Sequence, residues 1–201
     1  MLIFPDGIHL SEPHEIMGGP DKDQLIEKIR HAHIAPGYVI QNADNVLFKF
    51  YAEINVDAPN VWAVFRSLCE SLLPENATPI IGEIDEEPLH NGKYDNVPNL
   101  LALFEPFEYY LANDGFIQFG LAGGSQTELA EVFVAPTKHF QIWTNNIEIF
   151  KAIMDDYKIA PSENMQFINE FPRVTKALKY GNTFHNHDDL INHLVEVTGE
   201  Q

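Results

Sequence analysis

The segment from Phe116 to Thr144 constrains the fold more than any other part of the chain. Apolar and polar residues alternate there in three runs, 116–121, 127–134 and 138–144, and short turn sequences separate the runs. Alternation with a period of two is typical of a strand with one buried face, and connections this short join antiparallel neighbours. The segment therefore predicts a three-stranded antiparallel meander.

The rest of the chain predicts two more strands and four helices. The strands are 46–54, where Val46, Phe48 and Phe50 begin an apolar face that Ala52 and Ile54 continue, and 80–84. In the predicted helices, apolar residues recur at helical spacing. These helices cover residues 21–33, 57–73, 145–157 and 188–197. Residues 97–111 are ambiguous, because their leucines favour a helix that Pro106 would break or kink.

Polar residues that precede the apolar runs predict where helices begin. Asp57 and Asn145 precede two of these runs, and their side chains can accept hydrogen bonds from the first free amides of a helix. Asn186 or His187 is expected near the cap of the last helix, and Gly199 is expected to close it.

Together, the predicted strands and helices indicate a single α+β domain over 1–201. It has an antiparallel sheet of about five strands, with helices packed on one face. We expect residues 1–19 to form an N-terminal arm and residues 161–201 to form a helical C-terminal segment.

Net charge restricts the classes of partner. The chain has 201 residues, with 12 lysines and arginines against 30 aspartates and glutamates, so its formal net charge is −18. A surface this negative repels nucleic-acid backbones and anionic membranes, so we expect neither as a partner. No apolar run approaches the roughly 18 residues of a membrane span, and no signal peptide is evident. We therefore expect a cytoplasmic protein.

No motif predicts a catalytic residue, a cofactor or a metal. The single cysteine, Cys69, excludes an intrachain disulfide, and its spacing within a helix predicts a buried structural thiol. His185, His187 and Asp189 form the densest group of potential metal ligands. Acidic residues in a first helical turn also suit the helix dipole, so we interpret this group as a solvated helix start and predict no metal.

Glu131 interrupts an otherwise apolar strand. If the alternation holds, its carboxylate shares a face with Leu129 and Phe133. A carboxylate in that position either lies at the edge of a sheet or meets a charge from a partner. Of these two explanations, the sequence favours the edge.

Acidic residues are concentrated in one third of the chain. Between Ser67 and Thr137 there are twelve acidic residues and one basic residue, Lys93, which leaves eleven of the 18 excess negative charges in this stretch. Aromatic residues are interleaved with the acids, and a recognition surface needs both charge for steering and aromatic area for affinity. We therefore predict a surface for a basic protein partner. Its predicted residues are Glu83, Asp85, Glu86, Glu87, Glu105, Phe107, Glu108 and Tyr110.

A strongly acidic, small α+β chain without a catalytic motif resembles the immunity proteins of bacterial polymorphic-toxin and contact-dependent inhibition systems. Residues 115–119, 131–133 and 138–143 carry the resemblance most strongly. It implies a non-enzymatic, stoichiometric inhibitor that binds a cognate toxin domain, commonly a basic nuclease. Two alternatives remain open: a hydrolase-like enzyme with a site scattered along the chain, and a structural or adaptor domain whose acidity serves solubility alone.

Overall fold

Ten β-strands and six α-helices are formed by residues 1–43, 45–85, 87–181 and 183–199, the ranges that the computed structural model describes. The strands are β1 (Ile8–Leu10), β2 (Gly37–Asn42), β3 (Phe50–Asn55), β4 (Asn76–Glu83), β5 (His90–Asn91), β6 (Asp95–Asn96), β7 (Ile117–Gly124), β8 (Leu129–Val134), β9 (Phe140–Thr144) and β10 (Arg173–Thr175). The helices are α1 (Lys22–Arg30), α2 (Val61–Leu72), α3 (Val97–Phe104), α4 (Glu108–Asn113), α5 (Ile147–Asp156) and α6 (His187–Thr198).

An eight-stranded antiparallel sheet organises the fold. Its strand order is β2-β3-β9-β8-β7-β4-β5, and β6 pairs with the other end of β4. The α+β class with an antiparallel sheet is therefore confirmed, and the predicted meander lies at its centre. The expected number of about five strands is too small. β2 carries no clear alternation in its sequence, and β5 and β6 have only two residues each, so none of the three gives a strand signal.

The predicted strand 46–54 begins later than expected. Its pairing starts at Phe50, and the side chain of Val46 is 92% exposed. Ala52 and Ile54 do face the core, as predicted. The predicted strand 80–84 begins earlier, at Asn76, because residues 78–83 pair with β7 and residues 76–77 pair with β6.

The core lies between one face of the sheet and the helices. One row of directly paired residues crosses this face and is buried throughout: Ala52, Ile142, Val132 and Leu121. Helices α2, α3, α5 and α6 contribute to the same apolar cluster, and Phe65 of α2 contacts Phe119 of β7 with ring centroids 4.8 Å apart. Cys69 is fully buried in this cluster, as predicted, and burial raises the pKa of its thiol.

Two predicted helix caps serve other contacts. Asp57 precedes a 3₁₀ turn, Ala58–Asn60, and its Oδ1 accepts a hydrogen bond from the amide of Ile3 at 2.7 Å. Asn145 accepts from the amide of Lys49 at 3.0 Å instead of capping α5. Both side chains join segments that are distant in sequence, and a local capping rule does not anticipate such contacts.

The ambiguous segment 97–111 is helical on both sides of Pro106. This proline lies in a 3₁₀ turn, Glu105–Phe107, which separates α3 from α4 without ending the helical path.

The last helix has the predicted capping residues at its two ends. Asn186 caps α6 by accepting a hydrogen bond from the amide of Asp189 at 3.0 Å, and Gly199 ends that helix with φ 69°. These two predictions for α6 are confirmed.

The N-terminal arm pairs with the C-terminal segment. Strand β1 of the N-terminal arm pairs with β10, so the segment 161–199 contains a strand and a 3₁₀ turn as well as α6. A small second core forms around this pair, and its buried members are Ile8, Ile34, Ile168 and Phe171.

Within the described residues, no helix combines the length and apolarity that a membrane span requires.

A buried lysine lies at the turn between β8 and β9. The Lys138 side chain is 2% exposed, its Nζ donates to the carbonyl of Ile117 at 2.5 Å, and it lies 5.7 Å from the centre of the Phe119 ring. Burial lowers the pKa of Lys138 to about 7, although the nearby Asp114 carboxylate partly offsets this effect. Asp114 is itself buried, and it accepts from the hydroxyl of Tyr180 at 2.6 Å.

Lys138 gives the stability of the protein a specific pH dependence. From pH 7 to about 10.5 the lysine is neutral in the folded chain and protonated in the unfolded chain, so unfolding takes up a proton. The free energy of unfolding should therefore rise with pH in this range, by at most about 1.4 kcal/mol per pH unit, and lose this dependence below pH 7. We expect Lys138→Met to remove this rise in the free energy of unfolding, which is measured by urea unfolding at a series of pH values. The control is Lys151→Met, at a lysine whose side chain is 45% exposed, and this variant should keep the rise. Identical pH profiles for wild type and Lys138→Met would contradict this account.

Candidate functional site: the open face of the sheet

The face of the sheet opposite the helices carries a second set of side chains, which we call the open face. One row across it consists of directly paired residues in five strands: Tyr51, Trp143, Glu131, Ala122 and Thr78. The next row contains Glu53, Gln141, Phe133, Gly120 and Ile80. Most of these side chains are half-buried, whereas the residues between them along each strand are buried under the helices. The alternation of each strand thus separates the core from the open face.

Glu131 lies at the centre of the open face. Its strand, β8, is hydrogen-bonded to β7 on one side and to β9 on the other, so the predicted position at a sheet edge is wrong. Its direct neighbours are Trp143 and Ala122. Its carboxylate makes no hydrogen bond or ion pair with any residue of the described ranges, and burial raises its pKa. A partly dehydrated carboxylate without a partner is unfavourable for folding, which makes it a candidate for ligand binding.

Two aromatic rings lie beside Glu131. The rings of Trp143 and Tyr51 are in contact, with centroids 5.2 Å apart and planes inclined by 46°. Burial and the neighbouring Glu53 carboxylate raise the pKa of the Tyr51 phenol above its usual value of 10. Half-buried aromatic rings offer a large contact area with little side-chain entropy to lose, so this pair is suited to binding.

On the other side of Glu131, the small side chain of Ala122 leaves a groove on the open face. Gly120, Ala122 and Gly124 occupy alternate positions of β7 on the open face. A Cβ at Gly120 would come within 2.9 Å of the Phe133 ring, so the ring lies directly over this glycine. At the far end of β7 the groove widens into an open cavity of about 540 Å³. Its lining includes Leu47, Thr78, Tyr94, Ala122, Glu128 and Leu129.

The carboxylates predicted to bind a partner lie in different places. Asp85 and Glu87 are exposed and line a cavity of about 570 Å³ together with Arg173 and His139. Glu86 lies outside the described residues. Glu105 forms an ion pair with Arg66 at 2.9 Å, and Arg66 also pairs with Glu70. Glu108 is exposed and lines a separate cavity near Trp62.

The two predicted aromatic anchors are occupied within the chain. The Phe107 ring contacts Phe184 and His193, with centroids 5.7 and 5.6 Å away. Tyr110 stacks on Tyr180 at 4.4 Å with nearly parallel planes. These contacts hold the C-terminal segment against α3 and α4, and both side chains are half-buried, so part of each ring is engaged within the chain. Phe107 and Tyr110 alternate with acidic residues in the sequence because these helices have one apolar face and one acidic face.

Sequence reasoning missed the aromatic pair of the open face. Alternation places Tyr51 and Glu53 on the non-core face of the predicted strand 46–54, and Trp143 falls within the predicted strand 138–144. The pairing of β3 with β9, which brings these residues together, joins segments about 90 positions apart. Alternation gives the face of each residue but not the order of the strands.

His187, the first residue of α6, lies beside the carboxylates of Glu83 on β4 and of its own neighbour Asp188. The His187 Nε2 is 3.1 Å from Glu83 Oε1 and 3.2 Å from Asp188 Oδ1, and the ring stacks on Phe116. The group differs from the one considered in the sequence, because the Asp189 carboxylate accepts from the amide of His185. A metal-bound histidine normally donates its other ring nitrogen to an acceptor, and the buried His187 Nδ1 has no hydrogen-bond partner among the residues that the structure describes. We therefore interpret the group as a hydrogen-bonded link between β4 and α6.

Comparison with known proteins yields no relative for this chain: no protein-family model, curated protein or solved structure matches it.

The link around His187 makes a prediction about metals. Purified protein should hold well below one zinc or similar ion per chain in elemental analysis, and a chelator should leave its melting temperature unchanged. Glu83→Gln should lower the free energy of unfolding by about 1 kcal/mol whether or not the chelator is present, because it weakens a charge-assisted hydrogen bond. A stoichiometric ion that is lost in Glu83→Gln would show that the group is a metal site.

Proposed function

We propose that the chain is a non-enzymatic binding protein that neutralises a basic protein, in the manner of the immunity proteins that its sequence resembles. The observation that carries this proposal is the Glu131 carboxylate on the open face, which has no partner within the described residues and lies between the Trp143 ring and the groove over Ala122. A cationic partner would supply the charge that the folded chain does not provide.

Long-range charge and short-range contact have separate roles in this proposal. The net charge of −18 attracts a basic protein and speeds the encounter, and salt screens this attraction. The aromatic pair and the groove provide area that loses water on binding, which slows dissociation. The exposed Asp85, Glu87 and Glu108 contribute to steering in this scheme, whereas the predicted anchors Phe107 and Tyr110 do not contact the partner.

A hydrolase-like reaction finds less support at the same site. General acid–base catalysis by Glu131 would need a second titratable group within hydrogen-bonding reach of its carboxylate or of a common substrate atom. In the part of the chain described, no such group contacts Glu131, and its pKa reflects burial alone. Binding therefore accounts for this residue better than catalysis does.

The proposal predicts that binding depends on Glu131 and Trp143. Tagged wild-type protein should capture a basic protein from a lysate of the organism that encodes the chain, and mass spectrometry identifies it. With that partner purified, Glu131→Gln or Trp143→Ala should raise Kd on the order of 10- to 100-fold, mainly through faster dissociation. The matched control is Glu148→Gln on α5, an exposed carboxylate on the helical side, which should change Kd less than about twofold.

Stability provides an internal check on these variants. Because Glu131 is a partly buried charge without a partner in the described part of the chain, Glu131→Gln should fold with equal or greater stability while it binds more weakly.

Growth of cells provides a second readout. Expression of the partner should arrest growth, and wild-type chain, but not Glu131→Gln, should restore it. Equal affinity of all variants would overturn the role of the open face. A partner whose activity is unchanged by binding would instead favour the adaptor alternative.

A further inference from the structure

We infer that Glu131 and Trp143 form a site for one arginine side chain of the basic partner, with the groove over β7 receiving its aliphatic part. This inference rests on the proposed function, because it names the chemical group by which the partner would be recognised. It adds a specific side chain and a specific geometry, both of which can be tested without the partner.

The position of Glu131 provides the anionic half of the site. Directly paired residues of neighbouring strands have Cβ atoms about 4.5–5.5 Å apart, so the Glu131 carboxylate lies within reach of the Trp143 indole. A cation that bonds the carboxylate on this side therefore lies within the roughly 6 Å over which an aromatic face attracts it. The contact of Trp143 with Tyr51 supports the indole on its far side.

The small residues of β7 provide room for the rest of the side chain. Ala122 is the direct neighbour of Glu131 opposite Trp143, and Gly124 follows it on the same face. The backbone of residues 128–129 lies against Gly124, whereas the methyl group of Ala122 leaves space from which the cavity of about 540 Å³ continues towards Thr78 and Tyr94. The methylene groups of a long cationic side chain would lie along this groove, as such chains commonly lie on apolar surface.

The chemistry of the site favours guanidinium over ammonium. A guanidinium group is planar, so it can stack on an indole while two of its N–H groups donate to one carboxylate. It is also more weakly hydrated than an ammonium group, and therefore loses less on entering a half-buried position. A divalent cation would need several oxygen ligands, and Glu131 has no second carboxylate as a direct neighbour.

Nuclear magnetic resonance of the two tryptophans tests this site. The chain has two tryptophans, so Trp62→Phe leaves Trp143 as the single indole N–H signal and assigns it. Acetyl-Gly-Arg-Gly-amide is titrated to tens of millimolar at 150 mM salt. The same tripeptide with citrulline, an uncharged isostere, or with lysine provides the comparison. We expect a saturable shift of the Trp143 signal with the arginine peptide, at least fivefold weaker binding of the lysine peptide, and no saturable shift with the citrulline peptide.

Variants separate this site from general attraction to an acidic protein. Glu131→Gln should weaken binding of the arginine peptide at least fivefold, whereas Glu148→Gln should leave it unchanged, and the dispersion of the amide spectrum verifies that each variant is folded. Lysine binding as tight as arginine would overturn the assignment to guanidinium. The absence of a saturable shift, or an equal shift in Glu131→Gln, would overturn the site itself.

These outcomes are distinguishable from failure of the proposed function. If the arginine peptide binds in a Glu131-dependent way but partner capture does not depend on Glu131, the site stands and the proposed function fails. If capture depends on Glu131 but the arginine peptide gives no preference, the inferred side chain is wrong and the proposed function stands.

Discussion

The pairing of β8 between β7 and β9 is the constraint on which the rest of the structure depends. It places Val132 and its neighbours in one buried row and Glu131 in the opposite row. A shift of the register by one residue would exchange these rows, exposing the apolar set and burying the carboxylate. The helices then cover the apolar rows, because only that face offers a continuous surface on which their own apolar sides can pack.

Folding and binding make different demands on the open face. Replacing Glu131 by a neutral residue would remove the unfavourable burial of a charge, so stability does not explain its presence. Trp143 and Tyr51 also place aromatic area where water remains in contact with it. Residues that oppose stability and lie together on one face are typical of functional sites. The proposal that this face binds a cationic partner follows from their combination rather than from the net charge.

Much of the fold could be predicted from local patterns. Alternation was sufficient for the meander, helical spacing for α2 and α6, and the cap at Asn186 for the start of α6. The position of Cys69 in the core followed from the same spacing. Strand β2 and the contact of Asp57 with Ile3 could not be found in this way, because they depend on segments distant in sequence.

The candidate site was only partly predictable for the same reason. Glu131 was recognised as unusual, but its place at the centre of the sheet depends on strand order, which the sequence does not give. The acidic stretch drew attention to Phe107 and Tyr110, whose rings instead contact the C-terminal segment of the same chain. A local mixture of acids and aromatics does not distinguish an amphipathic helix from an exposed recognition surface.

Side-chain footprinting by hydroxyl radicals, applied to the complex with the captured partner, shows whether the open face binds it. We expect Trp143 and Tyr51 to be oxidised several-fold more slowly in the complex than in the free chain. Tyr109, which is 50% exposed on α4 within the acidic stretch, should be oxidised at an unchanged rate. Protection of Tyr109 with no change at Trp143 would place the partner on the helical side and would contradict a binding role for the open face.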